Sequence, residues 1–218
     1  MSIRARFDDE LSYLNTELIK MGALCERAVT SALEVFLQHD KSKVSVASKL
    51  EKEIDAKERD IEDLCMKLIL RQQPVAGDLR LISSAIKMIS DMERIGDQAQ
   101  DIADIAVNME GTDYENKIHI KAMSETALKM VTKSVDSFVQ KDSQLAEAVI
   151  NMDDEVDSGF DKIKDELISA VREDKERSKD YIDILMIAKY IERIGDHAVN
   201  IAEWVEYSLT GTHRKGEI

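Results

Sequence analysis

The sequence predicts an all-α protein: two tandem-repeated antiparallel three-helix bundles packed side by side. Three observations point there. Apolar residues recur at steps of three and four almost throughout, the spacing that lines one face of a helix. One proline, eight glycines and 5% aromatics leave little with which to build a β-sandwich or barrel, while 44% hydrophobic residues are too many for disorder. An eleven-residue segment also occurs twice: residues 93–103 read ERIGDQAQDIA and residues 192–202 read ERIGDHAVNIA, identical at eight positions at an offset of 99 residues.

The elements follow in order. A first helix carries Leu11, Leu14, Leu18, Met21, Cys25, Ala28, Ala32 and Val35 on one stripe. QHDKS around Asp40 offers an N-cap to a second helix, whose stripe of Ala47, Leu50, Ile54, Ile61, Leu64 and Leu68 is interrupted only by Lys57. Pro74 suits the first turn of a third helix bearing Ile82, Ile86, Ile89, Met92, Gly96, Ala99 and Ala103, which Gly111 can end. The connection at Glu110–Glu115 leads to a fourth helix, with a break near Lys141–Asp142. A fifth helix runs on Val149, Met152, Val156, Ile163, Leu167 and Ala170, and Ser178 is a candidate cap for the sixth, lined by Ile184, Ala188, Ile191, Gly195, Ala198, Ala202 and Val205. Short connections make successive helices antiparallel. The second helix repeats more weakly, Leu50-EKEID-Ala56 against Met152-DDEVD-Ser158, so two helix-helix-helix units fill the chain as residues 1–111 and 112–218.

Composition narrows the function. With 30 Lys and Arg against 44 Asp and Glu, the formal net charge is −14. Such a surface repels phosphate backbones, so no nucleic-acid partner is expected; divalent cations or basic protein surfaces suit it better. No apolar run approaches the roughly 18–20 residues that span a bilayer, and the N-terminal MSIRARFDDEL lacks the apolar stretch of a signal peptide. The two cysteines, Cys25 and Cys65, have no ligand spacing and fit a reducing compartment, so a cytoplasmic protein is expected.

Each unit carries two acid-x-x-x-acid pairs: Glu51/Asp55 with Glu93/Asp97, and Asp153/Asp157 with Glu192/Asp196. Residues four apart stack on a helix at about 5–6 Å between Cβ atoms, where two carboxylates repel and can together grip a cation. Chance would place about eight or nine such pairs on the solvated faces of a chain this acidic. Phase separates these from the rest: all eight acids directly follow a core-stripe position, so the pairs flank the buried seam and can converge. Asp101 would add a carboxylate one turn beyond Asp97, and Asn200 holds the equivalent place in the second unit. An all-oxygen set favours hard cations, Mg²⁺, Mn²⁺ or Ca²⁺, with iron or zinc as further candidates. Gly96 and Gly195 sit mid-helix on the core stripe, where they permit close helix approach. Arg94 and Arg193 can neutralise neighbouring carboxylates such as Asp91 or Asp97, and His197 reads as a polar surface or packing residue. Cys25 reads as core packing, and Trp204 as an anchor near the end of the last helix.

With its two ERIGD copies and RQQPVAGDLRLI at 71–82, the chain resembles the PhoU family of phosphate-uptake regulators from about Phe7 to Tyr207. The first unit departs from the family pattern at Gln98 and Asp101. The resemblance implies two three-helix bundles, usually dimeric, and multinuclear metal clusters held in some members by acid pairs matching those above. It further implies a negative regulator that couples the phosphate ABC transporter to a membrane sensor histidine kinase and keeps the phosphate regulon off when phosphate is plentiful. Without the resemblance, two rivals remain. A carboxylate-bridged di-metal redox enzyme would pair each bridging Glu with an i+3 His, whereas Gly96 and Gly195 stand there. A metal-free helical scaffold is the other. No nucleophile-base arrangement or phosphate-cradling glycine loop argues for an enzyme.

Overall fold

The computed structural model describes residues 3–72, 74–109 and 117–212. They form six helices and, among the described residues, no strand: α1 (Ile3–Gln38), α2 (Lys43–Gln72), α3 (Ala76–Ala106), α4 (Lys117–Gln140), α5 (Ser143–Glu173) and α6 (Ser178–Thr210). Within each half every helix packs on the other two, α1 with α2 and α3, and α4 with α5 and α6. The halves join along α3 and α6, the most extensive pairing of all, and more narrowly along α1 and α4. This is the tandem three-helix architecture that the repeat predicts.

The hairpins that close each half rest on the same local chemistry. His39 and Lys141, 102 residues apart, both adopt a left-handed backbone, with φ of 56° and 54°. Each is followed by an aspartate whose side chain holds the next turn. Asp142 Oδ1 accepts the backbone N–H groups of Gln144 (2.9 Å) and Leu145 (3.1 Å), and Asp40 Oδ1 accepts the N–H of Ser42 (3.1 Å) and its hydroxyl (2.6 Å). Gly211, at φ 79°, ends α6.

Three expected helix ends lie elsewhere. Pro74 precedes α3, because the extended Val75 (ψ 166°) takes the N-cap position and turns the chain into the helix. Ser178 is the first residue of α6, with Arg177 at the cap position, and its hydroxyl donates back to Lys175 O at 2.5 Å. Helix α3 stops at Ala106 with Val107 as C-cap. Gly111, and with it the boundary between residues 111 and 112, lies outside the described residues.

The stripes form one core through both halves, including Leu14, Leu18 and Met21 of α1, Leu50 and Ile54 of α2, and Ile191 and Val205 of α6. Lys57, which breaks the α2 stripe, reaches Glu17 of α1: Nζ donates to Oε2 at 2.7 Å, while Lys20 takes Oε1 at 2.7 Å. Glu17 is buried, and both its oxygens are thereby occupied, the condition under which a carboxylate is tolerated inside. Cys25 is core packing, as its stripe position predicts, its thiol donating to Met92 O at 3.3 Å. Burial pushes that thiol up to about 12.

Glycines set how closely the helices approach. A Cβ at Gly22 would stand 3.0 Å from both methyls of Val135 across the α1–α4 contact, whereas one at Gly77 would meet nothing within 4 Å. Gly22→Ala should therefore lower the melting temperature. Overpacking against a stiff β-branched neighbour costs about 1–3 kcal/mol and outweighs the roughly 1 kcal/mol that alanine gains over glycine in a helix. Gly77→Ala should raise it by about 2–4 °C. A rise in both variants, read by circular dichroism melts, would contradict the close α1–α4 approach.

Candidate functional site

The two sets of acid pairs lie along lines of close helix contact. A Cβ at Gly96 of α3 would come 3.0 Å from Ile54 Cδ1 of α2, and one at Gly195 of α6 would come 3.3 Å from Val156 Cγ1 of α5. Ile54 sits between Glu51 and Asp55, and Gly96 between Glu93 and Asp97; Val156 and Gly195 hold the same places in the second half. Each apolar contact therefore draws two pairs of carboxylates towards one another.

Burial and mutual repulsion make these acids harder to ionise. In the first half burial, then the charges of Asp55 and Asp97, raise Glu51 above the usual carboxylate range. Burial, then Asp97, Glu58 and Asp55, raise Glu93, against the pull of Arg94; burial and then Asp55 raise Asp97. In the second half burial, then Asp157, Asp196, Asp154 and Glu192, push Asp153 up to about 6. Asp157 and Asp196 are raised first by burial and next by Glu192, with Lys189 opposing in both. The influence runs between helices as well as along them, so the pairs lie within one another's electrostatic reach.

The remaining two candidates turn away. Each four-residue step advances about 40° beyond a full turn, so Asp101 lies roughly 80° around α3 from Glu93. That rotation carries it to α6, where it accepts from the Tyr190 hydroxyl and feels Arg193, while remaining in the field of Asp97. Asn200 likewise leaves the second set: Nδ2 donates to Asp91 Oδ1 of α3 at 3.2 Å. His197 Nδ1 donates to the same oxygen at 2.9 Å. His197 is therefore a buried partner in the contact between halves, not a surface group, and Asp91 is satisfied by it and not by Arg94. Tyr190 and Asp91 are equivalents under the 99-residue offset, as are Asp101 and Asn200, so the two contacts mirror each other. Asp91 pairs with Asn200 and Asp101 with Tyr190, the crossed order of antiparallel α3 and α6.

Sequence reasoning missed Lys189, which ion-pairs with Glu192 and partly offsets the second set. Its i,i+3 spacing from Glu192 was visible. It also missed Glu58, which accepts from the Ser90 hydroxyl at 3.2 Å in the first half. Lys189 and Ser90 are repeat equivalents, and the first set takes its cation from another helix position, Arg59 of α2, whose Nη1 donates to Asp55 Oδ2 at 3.5 Å. A hard cation suits the chemistry of both sets, which are all oxygen and mutually destabilised. In the second, Asp153 Oδ1 is buried without a hydrogen-bond partner. Among the described residues no three His, Cys, Asp or Glu side chains are already arranged as a ligand set, so binding would require carboxylate rotamers to close on the ion.

Comparison with known proteins places these features in context. The family model described as PhoU domain matches twice, at residues 18–106 and 120–205. A phosphate-specific transport system accessory protein PhoU homolog from Clostridium acetobutylicum is 34% identical over 95% of this chain and 96% of its own length. A protein of the same description from Pseudomonas aeruginosa is 34% identical over 96% and 88%. The crystal structure of PhoU from Pseudomonas aeruginosa superposes with a TM-score of 0.91 at 34% identity, covering 94% of this chain and all of that one. The phosphate transport system regulatory protein PhoU from Streptococcus pneumoniae gives 0.88 at 25% identity, covering 95% and 98%.

Carboxylate crowding sets a pH dependence. A group raised in the folded state opposes folding above its folded value, and stability returns as it protonates on the way down to its unfolded value. For Asp153 that window runs from about 6 to 3.8. Glu17, lowered by its lysines, acts in the opposite sense but only below its unfolded value of 4.5. Chelator-treated protein should therefore melt about 2–4 °C higher at pH 5 than at pH 7.5, a magnitude discounted for the partial exposure of Asp153. Asp153→Asn should raise melting at pH 7.5 and flatten the dependence. An unchanged profile in the variant would show that Asp153 is not strained.

Proposed function

Because the chain belongs to the PhoU family, we propose that it is a regulator of phosphate uptake that acts as a cytoplasmic adaptor and performs no chemistry itself. It couples the phosphate ABC transporter to a membrane sensor histidine kinase and holds the phosphate regulon off when phosphate is plentiful. The observation that carries the reading is the double family match across two halves, each bearing a carboxylate set at the same repeated positions. Among the described residues no helix is long and apolar enough to cross a membrane, which suits a protein that meets membrane partners from one side. We assign it a homodimeric state in line with the family resemblance.

Metal binding belongs to the same reading. Glu51, Asp55, Glu93 and Asp97 would hold hard cations in the first half, and Asp153, Asp157, Glu192 and Asp196 in the second. A bound ion would supply positive charge that relieves carboxylate repulsion and ties α2 to α3 and α5 to α6. Asp101 and Asn200 serve the junction between halves instead.

Disruption of the gene in its host should derepress alkaline phosphatase in phosphate-replete medium, and the intact gene in trans should restore repression. Alkaline phosphatase that stays at the repressed level in the disruptant would contradict the regulatory role.

A further inference from the structure

Each acid set is a ladder with a third rung. Across the second contact Asp153 feels Asp196, and Asp157 feels Glu192. Across the first, Glu51 feels Asp97 and Glu93 feels Asp55. Three residues onward along α2 and α5 come Glu58 and Phe160, and three residues back along α3 and α6 come Ser90 and Lys189. Glu58 and Phe160 are repeat equivalents, as are Ser90 and Lys189, and both rungs are closed. The Ser90 hydroxyl donates to Glu58 Oε1 at 3.2 Å, and Lys189 Nζ stands 5.3 Å from the centre of the Phe160 ring. The same rung thus carries a carboxylate in one half and an ammonium over an aromatic face in the other.

Lys189 also reaches into its set. It ion-pairs with Glu192, whose Oε2 is buried and has no other hydrogen-bond partner. Its charge opposes the rise that burial and Glu192 cause in Asp157 and Asp196. One tethered ammonium therefore serves three of the four acids. Among the described residues the first set has no cation so placed. Glu58 instead adds to the repulsion on Glu93, after burial and Asp97. The cations beside that set each act on one acid: Lys52 on Glu51, Arg94 on Glu93, and Arg59, its side chain 66% exposed, on Asp55. An exposed pair of that kind contributes little. Asp154 and Asp161 add charge to the second set from equally exposed positions.

We propose that the third rung grades the two sets for divalent cations: the first fills first, and the second takes an ion only by displacing the ammonium of Lys189. The proposal rests on reading the sets as cation sites. Ammonium and ion compete for the same oxygens, because sharing Glu192 would bring two positive charges together. Lysine suits the part, since its flexible stem can stay along Phe160 while the charged head swings out to water.

Calorimetric titration of the chelator-stripped full chain with Mn²⁺ tests this, one set at a time. With the first set removed by Glu93→Ala and Asp97→Ala, Lys189→Met should tighten Mn²⁺ binding about tenfold, and Lys189→Arg should leave it within about twofold. With the second set removed by Glu192→Ala and Asp196→Ala, Ser90→Lys should weaken binding about tenfold. In the otherwise unaltered chain, Lys189→Met should lower melting by about 2–4 °C without metal and raise it above wild type at saturating Mn²⁺. A mere loss of packing would lower it in both. Uptake by the second set that appears only once Lys189 is replaced also supports the proposal. Equal affinity with and without Lys189, or equal tightening by Lys189→Met and Lys189→Arg, overturns it and leaves the sets standing as cation sites. No Mn²⁺ uptake by wild type or any variant overturns the cation reading and the proposal together.

Discussion

Close approach of α2 to α3 and of α5 to α6, permitted by a glycine in each pair, is the constraint from which the rest follows. Gly96 receives Ile54 and Gly195 receives Val156 closely enough that an added Cβ would stand 3.0 Å and 3.3 Å from them. The apolar contact is favourable and non-directional; what it forces is not. Four carboxylates flank each contact, and burial and mutual repulsion raise three of those in the first half and three in the second. The core thus holds together a surface that would fly apart alone, the arrangement in which a functional demand is met against local stability.

The junction between halves is organised differently. It carries polar pairs, buried at Asp91 with His197 and partly buried Asn200, and nearer the surface at Tyr190 with the exposed Asp101. Such a seam fixes register in a way that an apolar face cannot, because every misalignment leaves a buried polar group without its partner. It also lies one helix face away from both carboxylate sets. Residues 93–101 and 192–200 each show one side to an acid set and another to the opposite half.

Much of this was legible in the sequence, and the failures have a common cause. Periodicity identified the buried stripes because one face of a helix is either covered or not, and Leu14, Ile54, Ile89 and Val156 are all in the core. The repeat identified the two halves, and phase picked out the eight acids beside the seam. Periodicity does not say which neighbour covers a face. Lys57 read as an interruption because its partner Glu17 lies 40 residues away. His197 read as a surface or packing residue because Asp91 lies 106 residues away. Asp101 and Asn200 were grouped with the acid sets by counting fours, although the helix turns by more than a full circle in four residues. The helix ends at Pro74 and Ser178 shifted by one or two residues, the usual margin for signals that several adjacent residues can satisfy.

The central claim is that the crowded carboxylates are cation sites. Its most direct test is calorimetric titration of chelator-stripped protein with Mn²⁺ and Mg²⁺, beside a variant with alanine at Glu93, Asp97, Glu192 and Asp196. The account predicts saturable binding of at least one ion per half in the wild type and its loss in the variant. Binding by neither protein, or equal binding by both, would contradict it and return these acids to the role of solvated helix faces.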